Sequence, residues 1–428
     1  MTLQLGCGQR DITPAACRTT LYGTAARPVE IVDPLYVRAV ALRLDGTSVL
    51  VLSYDLIGVT GPFTAAIRST LAAQLSLDRD AIVLAASHTH TAPLTMYFKY
   101  CPKPDAEYLG WLRQQSLEAA RQAMDDLTDV EYGFGQGSCP CNINRIERGR
   151  IVEVNDIHAA PGLVDDTLGV LALRRPGGAI KAIVWNYACH PLTMCRVRPT
   201  NADGQTPAAA SHRRDDTGSN VISADYPGAV ARELALHYPG ALPVFLQGCA
   251  GNMNPRIHGG VGARDQLGAR LAAAIAAIVT GLKWSQARVL GVRSVTGRLA
   301  TLGGLVAAPL QGLTLDDVGA VFLPGEQFAE TGLELRRRLG PRRIIAAYCN
   351  KVEVGYVPTR RYLTDFPHEY ECEKSCVVYQ MSKVAVSGAE ELLEQCVQLA
   401  VQGGDTVLGS TAGFSKEKHS CAMIPHVG

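Results

Sequence analysis

Two histidines one residue apart, His88 and His90, follow directly on the apolar run 81–86, which reads as a buried strand. Side chains alternate along an extended chain, so residues i and i+2 share a face, and the two imidazoles are expected to leave the strand end together. One could bind a metal while the other moves protons, because the neutral ring is a good ligand and titrates near neutrality. Capping of backbone groups at a strand end is the plain alternative.

A second strand-like run, 180–189, ends in His190-Pro191, where proline cannot donate to a ladder. A third, 319–323, ends in Pro324-Gly325-Glu326, and a fourth, 343–347, leads through Tyr348-Cys349-Asn350 to Gly355-Tyr356. Polar groups therefore leave four strand ends, the place where open α/β sheets hold their ligands. Two imidazoles, a carboxylate and a phenol form a borderline donor set that suits zinc and leaves a position for water or substrate. Zinc lowers the pKa of its water to about 7 and polarises a carbonyl, so hydrolysis of an amide or ester is the natural chemistry. The second imidazole of the 88/90 pair would serve as acid or base at the leaving group.

These groups need a scaffold. Runs 37–44 and 48–56 flank Asp45-Gly46, a hairpin signal, and a helix over 63–75 precedes the 81–86 strand. An amphipathic helix over 105–127 turns Leu109, Leu112, Leu117, Ala120 and Met124 to the core. Runs 168–173 and 180–187 around Pro176-Gly177-Gly178 form a second hairpin that delivers His190. Helices over 226–238 and 262–282 bracket a strand at 243–246, and further helices fall at 327–339 and 386–401. Arg336-Arg337-Arg338 close one of these, where cations suit the helix dipole. Stretch 196–220 is polar and aperiodic, a long loop. Strands and helices alternate without a repeat, so the class is α/β or mixed α+β: a mixed β-sheet core with flanking helices and the metal site at strand ends. Residues 1–402 form one domain, and 403–428 a partly ordered tail.

With 428 residues, 47% hydrophobic and 19% charged, the chain has the composition of a globular protein. A net charge of +1 gives no field for nucleic acid or an acidic membrane. Neither a signal peptide nor a transmembrane segment is evident, and thirteen cysteines suit reduced thiols, so a cytoplasmic location is expected. Cys139-Pro140-Cys141 and the pair Cys372/Cys376 look like metal-knuckle fragments but lack the doubled spacing of a structural zinc site. A homo-oligomer is compatible with this composition.

Motifs throughout the chain resemble the neutral/alkaline ceramidase family. They are Asp11-Ile12-Thr13-Pro14, Ser87-His88-Thr89-His90-Thr91-Ala92-Pro93, Asn142-Ile143-Asn144-Arg145, Asn186-Tyr187-Ala188-Cys189-His190-Pro191, Ile222-Ser223-Ala224-Asp225-Tyr226-Pro227-Gly228, Phe245-Leu246-Gln247-Gly248-Cys249-Ala250-Gly251-Asn252, Pro324-Gly325-Glu326 and Gly355-Tyr356-Val357. They run in order from about residue 6 to about 372. The resemblance implies a zinc-dependent amidase with one Zn2+ per chain, held by His88, His190, Glu326 and Tyr356. It implies His90 as the proton-handling imidazole. Arg145 and Tyr370, the latter in Tyr370-Glu371, match positions that contact substrate or the oxyanion, a role suited to the fixed donors of a guanidinium. Asp225 and Asn254 are the further substrate-binding candidates, Asp225 being equally suited to cap the following helix.

The chain departs from the family at Gly251-Asn252-Met253-Asn254-Pro255, where Asn254 stands for the serine of a Gly-Asp-x-Ser-Pro-like element. An amide is no nucleophile, so a serine mechanism is excluded there, whereas attack by metal-bound water is untouched. The length leaves no room for the family's C-terminal β-sandwich, and no export signal is visible. Together these point to a small soluble amide rather than ceramide. Alternatives are acyl transfer, amide formation, or ester and lactone chemistry at the same metal, a thiol nucleophile at Cys189 or Cys249, and a non-catalytic binding module.

Overall fold

Strands Tyr36–Leu44 and Thr47–Tyr54 pair antiparallel across Asp45 (φ 48°) and Gly46 (φ 85°), both left-handed as a two-residue hairpin turn requires. The computed structural model describes residues 2–15, 30–147, 162–194 and 221–404. The hairpin is the centre of a five-stranded sheet. Ile82–Ala86 joins one side in parallel, Gln4–Asp11 joins the other antiparallel, and the two-residue strand Thr128–Asp129 completes it. A second sheet orders Leu242–Gln247, Ile180–Tyr187, Thr167–Arg174 and Glu131–Ser138, and a third orders Leu290–Thr301, Gly304–Leu315, Val318–Phe322 and Arg343–Ala346. The chain is thus α/β with mixed sheets and flanking helices.

Inward side chains of all three sheets form one core: Leu42, Val51 and Val83 from the first, Leu173, Val184 and Leu246 from the second, Leu313, Phe322 and Ile344 from the third. Helices cover the outer faces. Gly61–Leu75 and Ala106–Asp125 pack on the first sheet, and Asp225–His237 with Val261–Thr280 on the second. Gly6 and Gly8 let Ala106–Asp125 lie directly on the backbone of Gln4–Asp11. A Cβ at Gly6 would fall 1.7 Å from Ala123 O, and one at Gly8 2.0 Å from Ala119 O.

Most expected elements are present with shifted ends. The first helix begins at Gly61, capped by Thr60, and residues 79–81 form a 3-10 turn before the strand. The helix expected from 327 starts at Ala329 because Glu326–Gln327 is extended, and the last helix, Gly388–Gly404, runs past the expected domain end. Strands Gln4–Asp11 and Glu131–Ser138 and the hairpin Leu290–Thr301/Gly304–Leu315 lie where the sequence pattern gave no element. Glycines interrupt their alternation, and the hairpin's outer part is half exposed. The 196–220 stretch and the tail beyond Gly404 lie outside the described residues. Among the described residues no helix is long and apolar enough to cross a membrane.

What positions the site is the meeting of three edge strands, Ile82–Ala86, Leu242–Gln247 and Arg343–Ala346. Their ends exchange backbone bonds: Ala86 N donates to Tyr348 O (3.1 Å) and Ala347 N to Gln247 O (2.9 Å). Asn186 Nδ2 adds bonds to Leu246 O (2.8 Å) and Ile345 O (3.1 Å). Each edge thereby finds partners instead of facing solvent, and residues just beyond the strands are forced together.

Candidate metal centre

His88 and His190 emerge at this junction and are held alike. His88 Nδ1 bonds Ile57 O at 2.6 Å, and His190 Nδ1 bonds Ala250 O at 2.6 Å and Met253 O at 3.1 Å. Both Nε2 atoms then face one carboxylate oxygen, Glu326 Oε2, at 3.3 and 3.1 Å. His90 completes a buried trio whose ligand nitrogens all lie within 4.8 Å of one another. The pair shares a face as expected, but not by simple alternation. His88 is left-handed (φ 68°), and the rings meet edge to face with centroids 4.9 Å apart. Departure from the strand at His88 is tolerated because Ser87 N and His88 N still bond Tyr54 O and Leu56 O.

Glu326 is clamped by two phenols. Tyr379 donates to Oε1, and Tyr348 OH lies 3.4 Å from Oε2 while its ring stacks on His88 at 4.4 Å. Tyr379 carried no sequence signal, since it sits in a short helix, Ser375–Tyr379, over fifty residues from its partner. Tyr356 pairs with Glu326 in a two-residue parallel ladder, and its hydroxyl bonds Arg145 Nη2 at 2.9 Å.

The Arg145 guanidinium is largely buried, its side chain 10% exposed, and densely used. It donates to Asn254 Oδ1 (3.2 Å) and Gly251 O (2.5 Å) and pairs with Glu371 at 3.0 Å through Nε. Glu371, a neighbour of the expected Tyr370, was not singled out by sequence. Tyr370 packs edge-on against Tyr356 at 6.0 Å. Asn254 is fully buried, and its Nδ2 has no hydrogen-bond partner among the described residues. Asp225 is placed apart from this cluster in its bonding. Left-handed at φ 57°, it accepts from Thr193 Oγ1 (2.5 Å), Met194 N (3.0 Å) and Tyr226 N (2.6 Å), fixing the turn after His190.

Burial, reinforced by Arg145, pushes the His190 imidazole down to about 4, and burial with the neighbouring His88 and His190 holds His90 well below its usual value. At neutral pH both are unprotonated, the form that ligates. For Glu326 burial acts upward but is outweighed by His88 and the bond from His190, which hold the carboxyl well below its usual range. The nitrogen and oxygen donors, with Nδ1 of His88 and of His190 tied to backbone carbonyls, are those a zinc ion accepts. Cys189 and Cys249 are buried, and burial pushes both thiols up, so neither is a thiolate nucleophile.

No protein-family model matches the chain, and no curated protein matches it in sequence. Solved structures define its class, an α/β fold similar to that of the neutral ceramidases. The crystal structure of neutral ceramidase from Pseudomonas aeruginosa aligns with a TM-score of 0.76 at 16% identity, over 97% of this chain and 77% of that one. A ceramidase complexed with C2 aligns at 0.74 and 15%, with the same coverage of each chain.

Proposed function

We propose that the chain is a zinc-dependent amidohydrolase that cleaves the N-acyl bond of a small soluble substrate. One observation carries this reading: two imidazoles, each fixed through Nδ1 to a backbone carbonyl, present Nε2 to the same buried carboxylate oxygen of Glu326. Metal-binding histidines are held in this way. His88, His190, Glu326 and Tyr356 would hold one zinc ion. Zinc in this place supplies a Lewis acid and makes hydroxide available near neutral pH.

The remaining residues act on the substrate. His90, unprotonated and beside both other rings, takes up a proton and returns it to the leaving nitrogen. Arg145, permanently charged and locked by Glu371 and Gly251, stabilises negative charge on the carbonyl oxygen, and Tyr370 lines the same side. Asn254 Nδ2, a buried donor whose partner oxygen already binds Arg145, is available to the substrate carbonyl. The similarity in fold to neutral ceramidases supports amide chemistry, and the buried free cysteines suit a reducing, cytoplasmic setting.

The test is a screen of N-acyl amides, esters and lactones on zinc-loaded protein. Turnover of an amide that stops on chelation and returns with zinc is expected. Activity that survives exhaustive chelation would overturn the reading.

A further inference from the structure

Cys139 and Cys141 flank an exposed proline, and the chain folds back so tightly there that Cys141 N bonds Cys139 O at 2.7 Å. Tyr187 pins the turn, its hydroxyl donating to Cys139 O (2.6 Å) and accepting from Cys141 N (3.2 Å). The two sulfurs are thereby brought to 3.3 Å, both as free thiols. From this geometry we propose that Cys139 and Cys141 are a reversible thiol–disulfide modification site that reacts with low-molecular-weight disulfides.

The surroundings suit thiolate chemistry rather than metal binding. Arg270 and Arg256 lie close to Cys141, and a positive environment stabilises a thiolate while repelling a soft cation. The contact with Cys139 comes first among the causes that hold the Cys141 thiol down to about 7, while the same contact pushes Cys139 up. Both cysteines are buried, 6% and 7% exposed, and flank Pro140, which is exposed at the turn. Cys141 thiolate attacks a disulfide RSSR, forming Cys141–S–S–R and releasing RS⁻. The Cys139 sulfur then attacks the Cys141 sulfur, expelling a second RS⁻, and its proton passes to solvent. The net change is two protein thiols and RSSR to one protein disulfide and two RSH.

The bond draws the sulfurs from 3.3 Å to about 2.0 Å, and the turn must tighten further. That motion reaches the metal centre by a short route. Cys141 O accepts from Arg256 N (2.9 Å), and Asn142–Asn144 pairs with Met253–Pro255. This ribbon supplies Met253 O to His190 and ends at Arg145. Oxidation is therefore sensed at the backbone that orients an imidazole and the guanidinium.

The experiment equilibrates the full chain in mixtures of reduced and oxidised glutathione, traps free thiols by alkylation and maps the 139–141 peptide by mass spectrometry. The expected result is one reversible Cys139–Cys141 disulfide, absent from Cys139→Ser and Cys141→Ser, with changed amide hydrogen exchange across Asn142–Asn144. Two separately alkylated thiols at every glutathione ratio would overturn the site. A disulfide that leaves exchange across Asn142–Asn144 unchanged would overturn its coupling to the ribbon.

Discussion

Glu326 and Tyr356 are register partners in a parallel ladder only two residues long, Gln327 facing Val357 beside them. Alternation sends Glu326 toward His88 and His190 and lets Gln327 Nε2 bond Pro324 O at 2.8 Å. A slip of one residue would exchange a carboxylate for an amide, so register here decides the charge of the site. The register is set at Gly325, whose φ is 67° and whose added Cβ would meet Gly355 O at 2.6 Å.

Gly325→Ala is accordingly expected to displace Glu326. Strain of this kind costs about 1–3 kcal/mol. Thermal unfolding should show that loss together with reduced zinc content, and a variant with unchanged zinc affinity would show that the ladder does not fix the carboxylate.

Metal analysis of the purified chain should give about one zinc per chain. His88→Ala and Glu326→Ala should each remove both metal and activity, because each deletes a donor from the buried group. Emission spectrometry of dialysed samples decides this.

Tyr379→Phe removes the phenol that fixes Glu326 Oε1 without deleting a proposed ligand. Loss of such an orienting bond lowers metal affinity by about 10–100-fold. Competition with a chromogenic chelator measures the change, and the fold should remain intact, since the ring still packs on Phe98.

Arg145→Ala leaves Glu371 buried without its cation. Stranding a buried charge costs about 3–5 kcal/mol. Urea unfolding should report this, and the double variant Arg145→Ala/Glu371→Gln should regain part of it because no charge is left behind.

Alkylation of Cys141 should follow its depressed thiol pKa. The thiolate is present above about 7 and disappears as pH falls below it, so the rate with iodoacetamide should rise through neutral pH and level off above it. Cys139, pushed upward, should stay slow over the same range. Peptide-resolved kinetics separate the two.

That His88, His90 and His190 leave strand ends was legible in the sequence because each follows an apolar run; that those ends meet was not, since the junction is made by edge strands of three separate sheets. The hairpins at Asp45-Gly46 and Pro176-Gly177-Gly178 were legible for the same local reason. Tyr379 and Glu371 were not. Their partners, Glu326 and Arg145, are brought to them by the packing of separate sheets, and nothing in Val378-Tyr379 or Tyr370-Glu371 marks a partner so distant in sequence. The left-handed His88 was equally hidden, being accommodated by the bonds of Ser87 N to Tyr54 O and of His88 N to Leu56 O. The long hairpin Leu290–Thr301/Gly304–Leu315 escaped because Gly297, Pro309 and Gly312 break its period.

The junction of three edge strands also has a temporal consequence. A growing chain that has reached His190 carries all three imidazoles but no carboxylate, and the third sheet that delivers Glu326 and Tyr348 is still to be made. Closing contacts of such large sequence separation form late in folding. The candidate site is therefore incomplete in any stretch of the chain that stops short of Glu326, and its donors come together only when the third sheet closes on the first two.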